Sequence, residues 1–189
     1  AWTEHGGLLS IWILGMYKHS ADTTVLVPYV EGDESELGPI VNADYFGEVP
    51  SDRLKVKNGV IRFSADGKYR SKIGLSPKRA KSILGSYDAT RQLLTIVQYN
   101  KPQGATNYVN SMWELQDEPF NGDVVNSYND GPPSPGAKPL GPFYELESSS
   151  PALELKPNES FTHIHRTIHL QGDKEVIQGL GKDLLGAIE

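Results

Sequence analysis

Two carboxylates and three histidines are concentrated in two short segments near the end of the sequence. Glu145 and Glu147 alternate with apolar residues, and His163, His165 and His169 follow at positions i, i+2 and i+6. Because residues two apart in a β-strand share a face, each segment places its polar side chains on one side. If the two strands pair or face one another, carboxylates and imidazoles meet on a single patch. No other part of the sequence concentrates chemistry in this way.

Two chemical interpretations of this patch compete with a plain one. In the first, His163, His165 and the carboxylate of Glu145 hold a divalent metal ion such as Zn, Mn, Fe, Cu or Ca. In the second, Glu147 is a general base and His163 or His165 an acid in proton transfer on a sugar, which requires separated pKa values. In the plain interpretation the histidines form a polar stripe, and the glutamates are solvated or paired with Arg166. The sequence leaves all three open.

Further polar and aromatic residues could bind a sugar around the patch. They offer hydrogen-bonding groups or a flat ring that stacks on a pyranose, and they are Asn126, Tyr128, Asp130, Trp113 and Arg166. Each also has an ordinary structural explanation, since Asp130 precedes glycine in a typical turn and a tryptophan in a strand is usually core. By the same reasoning Trp12, inside an apolar run, is predicted to be a core residue.

The elements that position these residues are predicted to be short strands. Runs rich in β-branched and aromatic residues span 8–17, 23–30, 54–57, 60–63, 68–75, 83–87, 93–99, 108–115 and 124–128. Asn58-Gly59 is a strong hairpin signal. Residues 31–53 are predicted to be a solvated loop with a helical turn around Tyr45, and residues 129–142 an irregular, proline-rich loop.

The last segment, residues 173–189, predicts the one convincing helix, with Asp173 as its cap and an apolar stripe near helical spacing. Many short strands, dense turns and little helix are typical of an antiparallel all-β sandwich. We therefore expect such a sandwich with a short C-terminal helix. It spans residues 1–189 as a single domain or as the C-terminal part of a larger one.

Composition excludes some classes of partner. The 189 residues include 18 basic and 24 acidic side chains, for a net charge of −6, and the only basic cluster is at residues 78–81. A nucleic-acid partner is disfavoured because phosphate binding needs a concentrated basic face. No apolar run approaches the ~20 residues of a membrane span. The chain has no cysteine, which rules out disulfides and thiolate metal sites and leaves the compartment open.

The sequence also resembles a known fold family. Residues 144–148, a proline-bearing link and residues 153–163 resemble the C-terminal strands of galactose-mutarotase-like proteins, with Asn158 where that pattern has glycine. The whole chain is similar to the C-terminal half of an uncharacterised bacterial family assigned to that fold. Its hallmark segments are residues 107–114, 126–132, 141–147 and 162–167. The His-x-Tyr-Phe-type motif of true mutarotases is absent here.

The resemblance implies a β-supersandwich whose concave face binds carbohydrate, with Glu147 near the position of the mutarotase catalytic carboxylate. It implies a sugar or glycan as ligand, and either an epimerase, lyase or glycoside hydrolase or, alternatively, a non-catalytic carbohydrate-binding module. We favour a periplasmic or secreted location over a cytoplasmic one. The sequence begins almost directly in an apolar strand, so we also expect an N-terminal fragment or a second subunit to complete the sandwich.

Overall fold

A computed structural model describes residues 7–186 as two facing β-sheets with a helix on the outside of one of them. The described residues form ten strands: β1 (Trp12–Tyr17), β2 (Thr23–Pro28), β3 (Leu54–Lys57), β4 (Val60–Ser64), β5 (Ser71–Leu75), β6 (Ile83–Asp88), β7 (Leu93–Tyr99), β8 (Val125–Asn129), β9 (Tyr144–Ser149) and β10 (His165–Gln171). Two helices accompany them, α1 (Glu34–Leu37) and α2 (Lys174–Leu185). No helix in this part of the chain is both long and apolar enough to cross a membrane.

The smaller sheet has the strand order β1-β9-β8-β5, and the larger has the order β10-β7-β6-β2-β4-β3. Every pairing between named strands is antiparallel. The predicted all-β antiparallel sandwich with a short C-terminal helix is therefore confirmed. Strands β9 and β10, which carry the chemical residues, belong to different sheets.

Alternation along each strand divides the apolar residues between two layers. In β2, Val25 and Val27 belong to the main core between the sheets, whereas Leu26 belongs to a second cluster under α2. That second cluster also includes Ile177 and Leu185 of the helix. Because neighbouring residues point to opposite faces, the larger sheet is covered on both sides. The outer face of the smaller sheet is left for polar residues.

Two turn predictions are confirmed by the backbone. Asn58 and Gly59 both have positive φ, 54° and 72°, and connect β3 to β4 as expected for a tight hairpin turn. Asn158 has φ 70°, so it adopts the left-handed conformation in which asparagine replaces glycine at little steric cost. Local chemistry therefore determined both turns.

Three predictions of local structure were wrong. Residues 108–115 do not form a strand, because the backbone of Tyr108 instead forms an isolated bridge with Asn121. The loop over residues 31–53 is helical at α1 rather than at Tyr45. The same loop bonds to the smaller sheet through a bridge between Asn42 and Gly74, so it is not a solvated excursion.

The C-terminal helix and its N-cap residue were predicted correctly, but the predicted cap lacks its side-chain hydrogen bond. Asp173 occupies the N-cap position of α2, yet its side chain makes no capping hydrogen bond. Residues 187–189 of the predicted helix lie outside the described residues.

We expect Leu146→Ala to lower the free energy of unfolding by about 2–5 kcal/mol, because it leaves a cavity in a close-packed core. Leu146 is fully buried and lies in β9, inside the smaller sheet. Met16→Ala is the matched control, since Met16 is 57% exposed on the neighbouring strand. Urea denaturation measures both variants. Equal losses for the two would contradict the core assigned here.

Candidate functional site

The carboxylates of β9 lie on the outer face of the smaller sheet. Tyr144 and Leu146 point into the core, so Glu145 and Glu147, which alternate with them, point away from it. Despite that orientation Glu147 is fully buried and Glu145 is only 9% exposed. Strand β1 and two loops cover them, which makes this face a lined cleft.

Glu147 is held by a cation and an indole. One of its oxygens, Oε2, accepts from Nζ of Lys72 at 3.1 Å and from Nε1 of Trp12 at 2.8 Å. The ammonium of Lys72 also lies over two rings, 5.2 Å from the centre of Trp12 and 4.9 Å from that of Tyr45. It reaches the hydroxyl of Ser111 at 3.3 Å. A buried carboxylate is tolerated when paired and hydrogen-bonded in this way.

Trp12 is therefore a site residue, contrary to its prediction as core. It is 38% exposed and lines the cleft, with its ring nitrogen bound to Glu147. Strand β1 lies at the edge of the smaller sheet, so its outer side chains have a neighbour on only one side. Because β1 is an edge strand, Trp12 stays partly exposed to solvent although it lies within an apolar run of the sequence.

Glu145 is the carboxyl group of the pair whose pKa is raised. Burial is the main cause, followed by the charge of Glu147 and by hydrogen bonding between the two carboxyl groups, and together they raise the pKa of Glu145 to about 7. Such a bond needs a proton on one partner. The Oε1 atom of Glu147 is buried and has no hydrogen-bond partner among residues 7–186, so it can accept a proton from Glu145. Glu145 with a raised pKa beside the ion-paired Glu147 makes a carboxyl pair in which one group can donate a proton near neutral pH.

A second network closes one side of the cleft. Asp123 accepts from Nδ2 of Asn42 at 2.9 Å and from the hydroxyl of Tyr45 at 2.7 Å, and that hydroxyl accepts from Nδ2 of Asn126 at 2.9 Å. Burial raises the pKa of Asp123, and burial together with the charge of Asp123 raises that of Tyr45. Gly74 makes room, because a Cβ there would lie 2.1 Å from an Asp123 oxygen.

The far end of the cleft is aromatic. The ring of Tyr128 lies between Phe46 and Phe143, with centroids 5.8 and 5.9 Å away. Its hydroxyl donates to Asp130 at 2.8 Å and accepts from Nε of Arg70 at 3.1 Å. Asp130 is fully buried and also fixes the following loop through a backbone amide. The predicted ligand residues Asn126, Tyr128 and Asp130 are thus in the cleft wall, where they bind other protein groups.

A groove continues from the carboxyl pair along the covering loops. It has a volume of ≈ 420 Å³, and its lining includes Trp12, Asn110, Ser111, Trp113 and Ser149. Trp113 is 94% exposed, which is unusual for a large apolar ring. Trp12 and Ser111 contact the Glu147–Lys72 pair as well, so these two residues connect the groove to the carboxyl pair, although neither carboxylate lines the groove.

The histidines are not part of this site. Ser148 points into the sandwich, where its hydroxyl lies 2.8 Å from Nε2 of His163 and 2.8 Å from Nδ1 of His165. His169 contacts Thr95 at 3.0 Å farther along the same interior edge. Burial lowers the pKa values of His163 and His165, and the charge of His165 lowers that of His163 further. These groups form a polar seam between β9 and β10.

The predicted convergence of histidines and carboxylates is therefore wrong. Glu145 and Glu147 occupy one face of the smaller sheet, and His163 and His165 approach it from the other. Neither a Glu147–histidine acid–base pair nor a metal site made of His163, His165 and Glu145 has support in this geometry. Among residues 7–186, no group of three or more potential His, Cys, Asp or Glu ligands is arranged to hold a metal ion. Arg166 alternates with His165 and is exposed on the opposite side of β10, away from the cleft.

Comparison with known proteins identifies the chain at the level of a family. The model of a family of unknown function, DUF6786, matches residues 1–188. The chain belongs to this family. No curated protein and no solved structure matches it. The likeness to galactose-mutarotase-like proteins stays a prediction, and the site described here is that of a DUF6786 protein.

Sequence reasoning missed several residues of this DUF6786 site. The missed residues are far apart in the chain. They are Lys72 in β5, Tyr45 in the loop over residues 31–53, and Asp123 just before β8. The one available signal was Lys72, a charged residue within a strand whose residues are all buried in the structure. Buried lysines are rare unless they are paired, so its position invites a search for a carboxylate.

We expect Lys72→Met to destabilise the protein by about 3–5 kcal/mol, because it leaves Glu147 buried without its cation. The variant Lys72→Met/Glu147→Gln removes that uncompensated charge and should regain most of the loss. Urea denaturation of the parent, both single variants and the double variant measures the coupling. Additive single and double effects would show that the two side chains do not form a pair.

The raised pKa of Glu145 predicts a pH-dependent stability. The pKa of a glutamate in the unfolded chain is near its ordinary value of 4.5, and in the folded protein the pKa of Glu145 is about 7. The contribution of Glu145 to stability is therefore full below roughly pH 4.5 and is lost as the pH rises through about 7. Glu145→Gln should remove this decline, as measured by thermal unfolding between those pH values. A variant whose pH dependence equals that of the parent would contradict a proton on Glu145.

Proposed function

We propose that this DUF6786 protein acts on a sugar or glycan bound over the outer face of the smaller sheet, with Glu145 as the acid–base group. The observation that carries the proposal is the carboxyl pair itself, a nearly buried Glu145 beside the ion-paired Glu147, where burial and the charge of Glu147 raise the pKa of Glu145 to about 7. Groups that change protonation near neutral pH suit proton transfer in catalysis. The histidines and a metal ion have no part in this proposal.

Each residue of the pair has a distinct task. Glu145, with its side chain slightly exposed, gives a proton to a sugar oxygen, and the C–O bond breaks with its electron pair on that oxygen. A water molecule then adds to the sugar carbon and returns a proton to the Glu145 carboxylate. Glu147 is fully buried, so it acts on Glu145 through its charge and hydrogen bond and does not touch the ligand. Lys72 keeps that charge in place. Protonation of a ring or glycosidic oxygen begins the reactions of sugar epimerases and glycoside hydrolases, whereas lyases begin by removing a proton from carbon.

The groove beside the pair supplies the binding surface. Trp12 and Trp113 offer rings that can stack on the apolar face of a pyranose, and Asn110, Ser111 and Ser149 offer hydrogen-bonding groups. This mixture of flat apolar and directional polar groups suits carbohydrate. The resemblance to galactose-mutarotase-like proteins points to the same ligand class.

A second candidate is a non-catalytic carbohydrate-binding module. Its support is Trp113, which is 94% exposed at the rim of the groove and could hold a glycan by stacking alone. In that case the carboxyl pair is a buried polar network that shapes the sheet. The two candidates differ in which substitutions matter.

We expect Glu145→Gln to lower turnover by at least about 10²-fold while sugar affinity stays within a few-fold, because only the proton is lost. Trp113→Ala should instead weaken binding. A panel of oligosaccharides is screened first, with product formation followed by chromatography and affinity by calorimetry. Glu175→Gln is the matched control, because it makes the same chemical change at an exposed position of α2.

The outcomes separate the candidates. Turnover that survives Glu145→Gln unchanged would exclude Glu145 as the acid. Binding without turnover on every glycan, weakened by Trp113→Ala but not by Glu145→Gln, would establish the binding module. Failure of every glycan to bind would reject both candidates.

A further inference from the structure

A second cavity lies on the other side of the molecule, against the outer face of the larger sheet. Its volume is ≈ 510 Å³, and its lining includes strand residues of β2, β3, β4 and β6 together with Lys174 and Gln178 of α2. The main core of the sandwich separates this cavity from the carboxyl pair. Nothing in the proposed sugar chemistry uses it.

The floor of the cavity has a row of hydroxyl groups. Thr24 is paired with Ser64 on one side and with Tyr87 on the other, so these three residues lie side by side across β4, β2 and β6. They share the outer face, because Leu26 and Tyr87 belong to the cluster under α2 while Phe63 points into the main core. All three hydroxyl-bearing residues line the cavity.

A pair of cationic residues lies next to that row. Lys55 is paired with Arg62, which is two residues from Ser64 on the same strand and the same face. Lys174 adds a third cation from the first turn of α2, above the sheet.

The carboxylates of the lining cancel this positive character only in part. Asp66 is bonded to Arg53, also a lining residue, which leaves Asp22 and Asp52 against Lys55, Arg62 and Lys174. Asp52 is exposed at the rim. The cavity thus has four basic side chains against three acidic ones, in a chain with a net charge of −6. The lining therefore has a small excess of basic residues, whereas the whole chain has an excess of acidic ones.

The hydroxyl of Tyr87 shows that the floor lacks an acceptor. Tyr87 is only 4% exposed, and its buried hydroxyl has no hydrogen-bond partner among the described residues. A buried hydroxyl without a partner carries a desolvation cost that a bound acceptor would relieve. The ring lines the cavity, but the hydroxyl is enclosed, so a ligand there supplies that acceptor when the side chain turns toward it.

We propose that this cavity binds a small phosphate-bearing molecule. Phosphate oxygens only accept hydrogen bonds, and they can take donors from several directions at once. The hydroxyls of Ser64, Thr24 and Tyr87 approach such a group from the floor, while Lys55, Arg62 and Lys174 approach it from the side and above. Asp22 and Asp52 at the edge suit hydroxyl groups on the rest of the molecule.

Inorganic phosphate is the probe, titrated by calorimetry against the whole chain at an ionic strength held constant with sodium chloride. We expect saturable binding that falls about tenfold or more in Lys55→Ala/Lys174→Ala, because each loses a charge-assisted hydrogen bond. Lys57→Ala is the matched control and should bind as the parent does. Lys57 is exposed on the same strand as Lys55 but does not line the cavity.

Tyr87→Phe tests the floor without changing charge. It should weaken phosphate binding several-fold and leave the ligand-free protein as stable as the parent or more so, because it removes a hydroxyl that has no partner. No saturable phosphate binding, equal binding in the parent and Lys55→Ala/Lys174→Ala, or binding of citrate where phosphate fails would each overturn the proposal. Loss of ligand-free stability in Tyr87→Phe would do the same, since it would show a structural partner for that hydroxyl.

Discussion

The buried ion pair between Lys72 and Glu147 is the interaction on which the cleft depends. Two charges cannot stay inside a protein unless their attraction and hydrogen bonds offset the loss of water. Here the pair joins β5 to β9 across β8, and Trp12 adds a donor from β1, so three of the four strands of the smaller sheet are tied to one carboxylate. Burial and the same charge raise the pKa of Glu145. Structure and chemistry at this face therefore have a common cause.

The two-residue period of a strand separates what the sequence places close together. Glu147 and Ser148 are neighbours, yet one points to the cleft and the other to the seam with His163 and His165. The two strands that carry these groups face each other across the sandwich and do not pair. Imidazoles approaching Ser148 therefore reach the back of the sheet whose front bears the carboxylates. The predicted patch combined the carboxylates with the histidines because they are close in sequence. In the structure the smaller sheet lies between these two groups.

Much of the fold was predictable because it rests on local rules. Alternation of apolar residues indicated the strands, Asn58-Gly59 the hairpin, and the apolar stripe from Val176 onward the helix. The site was predictable only in part, since Glu145 and Glu147 follow from alternation but Lys72 and Asp123 do not. Their roles depend on which strand lies beside which, and that is set by packing across the whole chain. Trp12 was misjudged for the same reason, because only the topology shows that β1 is an edge strand.

The charges on the two outer faces determine which ligands each can take. The cleft holds Glu145, Glu147, Asp123 and Asp130 against Lys72, whose ammonium is already engaged with Glu147, and Arg70, which contacts Tyr128 and Phe46. An acidic sugar would meet more carboxyl groups than cations there, whereas a neutral one would meet rings and hydrogen-bonding groups. The outer face of the larger sheet has the opposite balance and suits an anion. A neutral glycan on one face and a phosphate on the other would therefore not compete, because each site repels or fails to satisfy the other's ligand.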